Sequence, residues 1–487
     1  MQVLGFDWLP DSRGIAFSHR PLPEWEHWAE TRLATVAVSP GQGTEAEPGA
    51  GPDADGAGHD TEMAVTDLGL VGDWTARPLV SPDGRWVACH TSDRPGKWAL
   101  SGRVVLYPVE GAGGKAPAQE PRELAETPDG RCEPVCWAPS GEAVYVLQQS
   151  GVTPQLWALP ASGAPARPVT AGTLALSSAA GSASGTLACV GQDLHKPNAV
   201  YHVEPGSGAT LLVAAPPLPE EWPSGTPPEA EVVRWKSRDG LEIEGVLIYP
   251  LGYRRGTPCP LVVDAHGGPP SAFSRGYLLS PDRTVDGAAL AARGYAVLRP
   301  NPRGSTGYGR DFRFANYGDW GGGDLDDILD GVDWLIREGI VDGERLGIAG
   351  WSYGGYLAAA AISRTTRFKG ACVGAGITNA ASFNGTSDIP DFIPDYLGAE
   401  AWDDPQRYLR HSPALNAGAV RTPTLILHGE EDERVPTGQG RELHNALRRR
   451  GVPVELVLYP RQGHAIGEPR LQLDARRRIV EWMERWV

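Results

Sequence analysis

The first 215 residues repeat a phrase in which a tight turn is followed by a short run of alternating apolar and polar positions. It is seen in LPDSRGIAFSHR (9–20), SPDGRWVACHTS (81–92) and APSGEAVYVLQQ (138–149). Proline with Asp-Ser or Asp-Gly sets the turn, and the alternating apolar side chains after it (Ile15 and Phe17, Trp86 and Ala88, Val144 and Val146) predict one face of a strand. A further strand-like run follows each phrase, as TRLATVAV (31–38), GRVVLYPV (102–109) and PQLWALPA (154–161), and a weaker fourth copy runs from Leu174 to Val213. Several strands per unit, recurring at roughly 40–70 residues, predict the blades of a β-propeller, about four of them over residues 1–214. A plain β-sandwich is the alternative arrangement for such hairpins.

Beyond residue 231 the pattern changes to apolar strand runs separated by amphipathic helices. VVRWKSRDGLEIEGVLIYP (232–250) predicts a hairpin, and PLVVDAHGG (260–268), YAVLRPN (295–301), RLGIAGWS (345–352), TPTLILHG (422–429) and VELVLYP (454–460) predict buried strands. In DLDDILDGVDWLIREG (324–339), Leu325, Ile328, Leu329, Val332, Leu335 and Ile336 fall on one helical face, and the C-terminal LDARRRIVEWMERWV repeats that pattern. Residues 232–487 are therefore expected to form a doubly wound, mainly parallel α/β sheet covered on both faces. Two stretches read as connections: the Gly-, Pro- and acid-rich residues 39–65 as a disordered loop between blade strands, and the Pro/Glu-rich residues 215–231 as an interdomain linker.

Composition narrows the partners. With 44 basic and 60 acidic residues the 487-residue chain carries a formal charge of −16, which lacks the basic stripe needed for nucleic acid or an anionic membrane. No 18-residue apolar stretch and no basic, apolar leader occurs, so neither export nor membrane anchoring is expected. The six cysteines (Cys89, Cys132, Cys136, Cys189, Cys259 and Cys372) have no CxxC or paired spacing, which fits a reducing cytoplasm and gives no metal or disulfide framework. No cofactor is called for.

The sharpest chemical signal is IAGWSYGGYLAAAA, where a strand runs through Gly350-Trp351-Ser352-Tyr353-Gly354 into a small-residue helix. This is a GxSxG nucleophile elbow in the strand-to-helix context that the motif requires. A serine hydroxyl attacks only when a base takes its proton, so a downstream acid and histidine are needed at strand ends. Asp432 in LILHGEEDERVP and His464 in YPRQGHAIGEP occupy such places, in the order Ser, Asp, His. Glu430, Glu431 and Glu433 are rivals for the acid, and His428, His411 and His444 are weaker candidates for the base. The oxyanion of a tetrahedral intermediate would be met by the Tyr353 N–H and by Gly268 N–H in the turn DAHGGPP (264–270).

Taken together, GWSYGGY (350–356), HGGP (266–269), NPRGSTGYG (301–309), LHGEEDERVP (427–436) and GHAIGEP (463–469) resemble the prolyl oligopeptidase family of serine peptidases, nearest its acylaminoacyl peptidase and dipeptidyl aminopeptidase branch. The resemblance implies an α/β-hydrolase domain capped by an N-terminal propeller, with the active site between them and with short peptides as substrates. It places Ser352, Asp432 and His464 on the triad and Gly268 and Tyr353 on the oxyanion positions. Some members use a tyrosine hydroxyl as oxyanion donor where this chain has His266. The resemblance further sets Arg434 where relatives contact a substrate carbonyl, and Phe383, with Trp351 beside the nucleophile, at the substrate pocket. Members carry seven or eight blades, so about four here suggest an incomplete propeller, from a truncated or mis-started frame or a reduced cap. Exposed blade edges would favour a homo-oligomer. The expected activity is hydrolysis of short peptides through an acyl-enzyme; a carboxylesterase on the same triad, or a non-catalytic propeller binding protein, are the alternatives.

Overall fold

The computed structural model describes residues 1–38, 65–109, 119–204, 208–215, 227–280 and 284–487. The loop expected at 39–65 and most of the linker expected at 215–231 lie outside the described residues. Four antiparallel four-stranded sheets come first. They are β1 (Gln2–Trp8), β2 (Gly14–Arg20), β3 (Arg32–Ala37) and β4 (Val65–Leu70); β5 (Leu79–Val80), β6 (Trp86–Ser92), β7 (Gly102–Pro108) and β8 (Arg122–Glu123); β9 (Glu133–Trp137), β10 (Ala143–Gln148), β11 (Gln155–Pro160) and β12 (Arg167–Pro168); and β13 (Ala175–Gly181), β14 (Leu187–Asp193), β15 (Lys196–Glu204) and β16 (Ala209–Ala214). The first strands of successive sheets, β1, β5, β9 and β13, lie next to one another, which is the arrangement of propeller blades.

The period-2 alternation explains how the blades stack. In β6 and β7, Val87, Cys89 and Val105 pack toward the first blade, while Ala88, Val104 and Leu106 pack toward the third. In β10, Val144 and Val146 join that second cluster, and Ala143 and Leu147 turn to the fourth blade with Leu187, Tyr201 and Val203. At the two ends of the fan, Val3, Phe6 and Trp8 of β1 and Leu211, Leu212 and Val213 of β16 stay exposed.

The remaining strands make one eight-stranded sheet in the order β17-β18-β20-β19-β21-β22-β23-β24. Strands β17 (Ala230–Lys236) and β18 (Glu242–Ile248) form the antiparallel edge, and β18 pairs antiparallel with β20 (Ala296–Asn301). Strands β19 (Cys259–Ala265), β21 (Val341–Trp351), β22 (Gly370–Gly374), β23 (Thr424–Gly429) and β24 (Val454–Tyr459) continue it in parallel. Alternate residues bury on opposite faces: Leu261, Val263, Leu346, Ile348 and Val373 in one core, Val262, Ala349 and Cys372 in the other. The helix Gly323–Arg337 covers the first face with Leu325, Ile328, Val332 and Leu335, and the helix Pro469–Trp486 covers the second with Ala475, Ile479 and Met483. No helix among the described residues is long and apolar enough to cross a membrane.

The blades are tied to this sheet through the NPRGSTGYG segment and the helix that follows it. Arg313, with no exposed surface, donates to the carbonyls of Leu100 (3.0 Å) and Asp129 (2.6 Å) and pairs with the Asp129 carboxylate. Asp129 also accepts from the Gly307 and Gly309 amides at 2.7 and 3.0 Å. Removing one member of a buried pair leaves the other charge uncompensated, so Arg313→Leu is expected to destabilise the fold by about 3–5 kcal/mol. A urea midpoint equal to that of the wild type would contradict this.

Candidate active site

Three strand ends converge on one place. Strand β21 stops at Trp351 and a helix starts at Tyr353, so Ser352 alone makes the turn, at φ 59° and ψ −121°. A non-glycine residue there is strained by about 1–3 kcal/mol, held by the surrounding structure. The flanking glycines make the turn sterically feasible: a Cβ on Gly350 would lie 2.3 Å from the Gly354 carbonyl, and one on Gly354 would lie 1.9 Å from the Ala265 oxygen. The Ser352 N–H donates to Gly374 O (2.9 Å), which fixes the elbow to β22.

His464, in the turn after β24, has Nε2 2.9 Å from Ser352 Oγ and Nδ1 2.9 Å from Asp432 Oδ2. Of the four acids at the end of β23, Asp432 is buried whereas Glu430, Glu431 and Glu433 are exposed, which separates the candidate acid from its rivals. Burial works against a charged Asp432, but hydrogen bonds from His428 and His464 outweigh it and hold its carboxyl at about 2. An ionised carboxylate only accepts, so His464 donates Nδ1–H to it and leaves Nε2 to accept the Ser352 hydroxyl proton. His428, the weaker candidate for the base, is buried and serves the acid loop instead: its Nε2 donates to Val435 O (2.6 Å) and lies 3.4 Å from Asp432 Oδ2. The Val435 amide donates to the other carboxylate oxygen at 2.9 Å. His411 bonds instead to Trp320 O.

The HGG turn after β19 runs beside the nucleophile. Gly267 abuts Ser352 most closely: a Cβ there would meet Ser352 Cβ at 3.3 Å and Oγ at 3.9 Å. Gly268 follows at φ 125°, in the region that favours glycine. His266 is buried and turned away, with Nε2 2.9 Å from Ser305 Oγ and Nδ1 2.7 Å from Gly267 O. Burial pushes its imidazole down to about 4, so it is neutral at ordinary pH and braces the turn rather than presenting a charge.

Tyr353, whose N–H opens the helix after Ser352, is anchored through its hydroxyl, which donates to the buried Asp324 and accepts from Asn316 at 3.3 Å. Burial pushes the Asp324 carboxyl up to about 7, against the hydrogen bonds from Tyr353 and the Leu325 amide. An acid with a raised folded pKa binds its proton more tightly in the folded state, so its contribution to stability falls as pH rises from 3.8 toward 7. Asp324→Asn removes that titration. Its stability measured by denaturant between pH 4 and 8 is expected to decline less with rising pH than that of the wild type; parallel curves would contradict the assignment.

The substrate-side candidates are placed unequally. Trp351 is half-buried, donates its indole N–H to His464 O (2.8 Å) and lines a cavity of about 230 Å³ with His464 and Ile466. Arg434 sits on the Asp432 loop and forks onto Asp388 at 2.7 and 3.2 Å. Phe383 does not line an open pocket. It has no exposed surface and packs near Phe392 (6.3 Å between ring centres), because the short helix Ala380–Asn384 turns that side chain into the core.

The prolyl oligopeptidase family model matches residues 285–487. The chain is 38% identical to the uncharacterized peptidase YuxL of Bacillus subtilis (strain 168) over 259 residues, covering 52% of this chain and 38% of that protein. It is 36% identical to the acylamino-acid-releasing enzyme of Sus scrofa over 265 residues, covering 53% of this chain and 35% of that enzyme. The chain thus spans little more than a third of the length of these relatives. Among solved structures, Pyrococcus horikoshii acylaminoacyl peptidase shares the fold at a TM-score of 0.78 and 20% identity, over 99% of this chain and 70% of that one. Residues 285–487 thus match the prolyl oligopeptidase family, and the blade-and-sheet architecture is that of a solved acylaminoacyl peptidase.

Proposed function

We propose that the protein is a serine peptidase of the acylaminoacyl or dipeptidyl type that hydrolyses short peptides through an acyl-enzyme. The observation that carries this reading is the hydrogen-bonded line from Asp432 through His464 to Ser352, with both links at 2.9 Å. Ser352 Oγ attacks the scissile carbonyl while His464 Nε2 takes its proton; the imidazolium so formed is stabilised by Asp432 and returns the proton to the leaving amine. Water then attacks the ester carbonyl, His464 again accepting a proton and passing it to Ser352 as the acid is released. The N–H groups of Tyr353 and Gly268 are assigned to the developing oxyanion, where each donor is worth on the order of 10²–10³ in rate. Arg434, steadied by Asp388, is assigned to a substrate carbonyl, and Trp351 to the wall beside His464.

The similarity to an acylamino-acid-releasing enzyme supports peptides rather than other acyl compounds. The test is turnover of acetyl-alanine-p-nitroanilide, Ala-Ala-p-nitroanilide, alanine-p-nitroanilide and p-nitrophenyl butyrate by the wild type and by Ser352→Ala. Amide hydrolysis that vanishes in the variant is the expected result. Turnover of the ester alone would replace the peptidase reading with a carboxylesterase on the same residues, and no turnover of any compound would favour a non-catalytic binding protein.

A further inference from the structure

The nucleophile elbow rests on a buried hydrogen-bonded chain that no step of the proposed reaction uses. Tyr353 turns its ring inward from the start of the helix Tyr353–Arg364, against Trp320 (4.8 Å between ring centres, edge to face) and Tyr356 (5.4 Å, stacked). Its hydroxyl lies between Asp324, on the first turn of the helix Gly323–Arg337, and Asn316, whose Nδ2 is 3.3 Å away. Asp324 and Asn316 have no exposed surface and Tyr353 has 2%. The chain therefore joins a carboxyl that water does not reach to the residue whose backbone N–H follows Ser352.

Nothing around Asp324 neutralises a charge on it. On its own helix Asp327 is committed to Arg303, and Asp326 to Arg238 and Arg364. Asp319, which accepts from the Gly323 amide at 2.8 Å, and Asp327 both add negative charge. On the nucleophile helix the titratable neighbours are Tyr353 and Tyr356, and Arg364 at its far end is spent on the Gly321 and Gly322 carbonyls as well as on Asp326. His411 bonds to Trp320 O, and burial lowers its imidazole. No cation pairs with Asp324 among the described residues. Burial, the largest influence, raises its carboxyl to about 7, so its charge changes in the neutral range.

The two protonation states run the chain in opposite directions. A carboxylate only accepts, so Tyr353 donates to Asp324 and Asn316 Nδ2 donates to Tyr353. A neutral acid donates to Tyr353 Oη instead, and the phenol proton then needs an acceptor on the far side. Asn316 Oδ1 supplies one once the amide turns over, and that atom is buried with no hydrogen-bond partner among the described residues. Each state thus has a place for every proton. In the charged state, however, a buried anion stands behind the residue whose N–H is assigned to the oxyanion, and like charges repel.

We propose that Asp324 is a positioning residue for the acylation step: neutral, it leaves the oxyanion on the Tyr353 N–H unopposed, and ionised, it works through Tyr353 against the negative charge that develops there. The proposal rests on the assignment of that N–H to the oxyanion in the hydrolase reading.

The test is the pH dependence, from about pH 5 to 9, of kcat on whichever amide of the turnover panel the wild type hydrolyses fastest, and of Ser352 labelling by a fluorophosphonate, whose phosphonyl oxygen takes up charge beside the same donors. Wild type, Asp324→Asn and Tyr353→Phe are compared. Both wild-type rates are expected to fall roughly ten-fold on the alkaline side, through about 7. Asp324→Asn, neutral at every pH, is expected to keep the acid limb, where His464 takes up a proton, and to lose the alkaline fall. Tyr353→Phe keeps the backbone N–H but removes a hydrogen bond that favours the charged acid, so the fall is expected to move to higher pH. Thermal melts show whether Asp324→Asn folds; if it does not, the shift in Tyr353→Phe carries the comparison. A wild type without the alkaline fall, or variants that keep it unmoved, would overturn the proposal, as would a merely structural role, which lowers the rates equally at every pH. Labelling without turnover of any amide would count against the peptidase reading alone, because the labelling profile still reads Asp324. A folded wild type that takes up no probe would overturn both.

Discussion

Ser352→Ala is expected to lower kcat for acyl-side peptide substrates by on the order of 10⁶-fold, the scale seen when a serine protease loses its nucleophile. The argument is geometric. Ser352 is the residue forced into positive φ between β21 and its helix, and its hydroxyl is the group held 2.9 Å from His464 Nε2. Alanine fits the same turn without a larger side chain, so folding and the Gly374 contact are retained while the attacking oxygen is lost. A residual rate above that of water, from oxyanion donors and substrate positioning, is expected to remain at roughly 10³–10⁴-fold. Retention of even a tenth of wild-type kcat would mean that another group attacks.

Asp432→Asn has the next largest expected effect, a loss of about 10⁴ in kcat with little change in the fold. The introduced carboxamide can turn its NH₂ toward His464 and donate to Nδ1, placing the ring proton on Nε2, where it cannot accept from Ser352. The same substitution changes stability in a defined direction. Hydrogen bonds from His428, His464 and the Val435 amide overcome burial to lower the Asp432 carboxyl from 3.8 to about 2. A depressed acid contributes stability that is complete above 3.8 and is lost as pH falls through 2. Acid denaturation of the variant is therefore expected to lack that component, and an unchanged acid limb would argue that Asp432 is not held charged by these partners.

Elements with a strong local pattern are legible in the amino-acid sequence. Alternation in residues 86–92 and 102–108 marked blade strands because each of their faces packs on a different neighbour. The elbow was legible since its glycines serve a turn only a few residues long. Strand β22, GACVG, was missed: small, glycine-rich residues carry little strand preference, and this one is a strand because β21 and β23 flank it and both its faces are buried. The partners that hold the site were also hidden. His428 against Asp432, His266 against Ser305, Asp324 against Tyr353 and Asp129 against Arg313 are contacts made by the fold, and nothing in chain order announces them. Phe383 illustrates the converse error, since an aromatic near a site looks alike in sequence whether it faces a pocket or the core.

The central claim is that Ser352 is an activated nucleophile, and covalent labelling tests it most directly. A fluorophosphonate probe followed by intact mass and peptide mapping is expected to give one adduct on Ser352, absent from Ser352→Ala and strongly slowed in His464→Ala. Labelling at another residue, or a wild-type protein that takes up no probe while its melting curve shows it folded, would contradict the account.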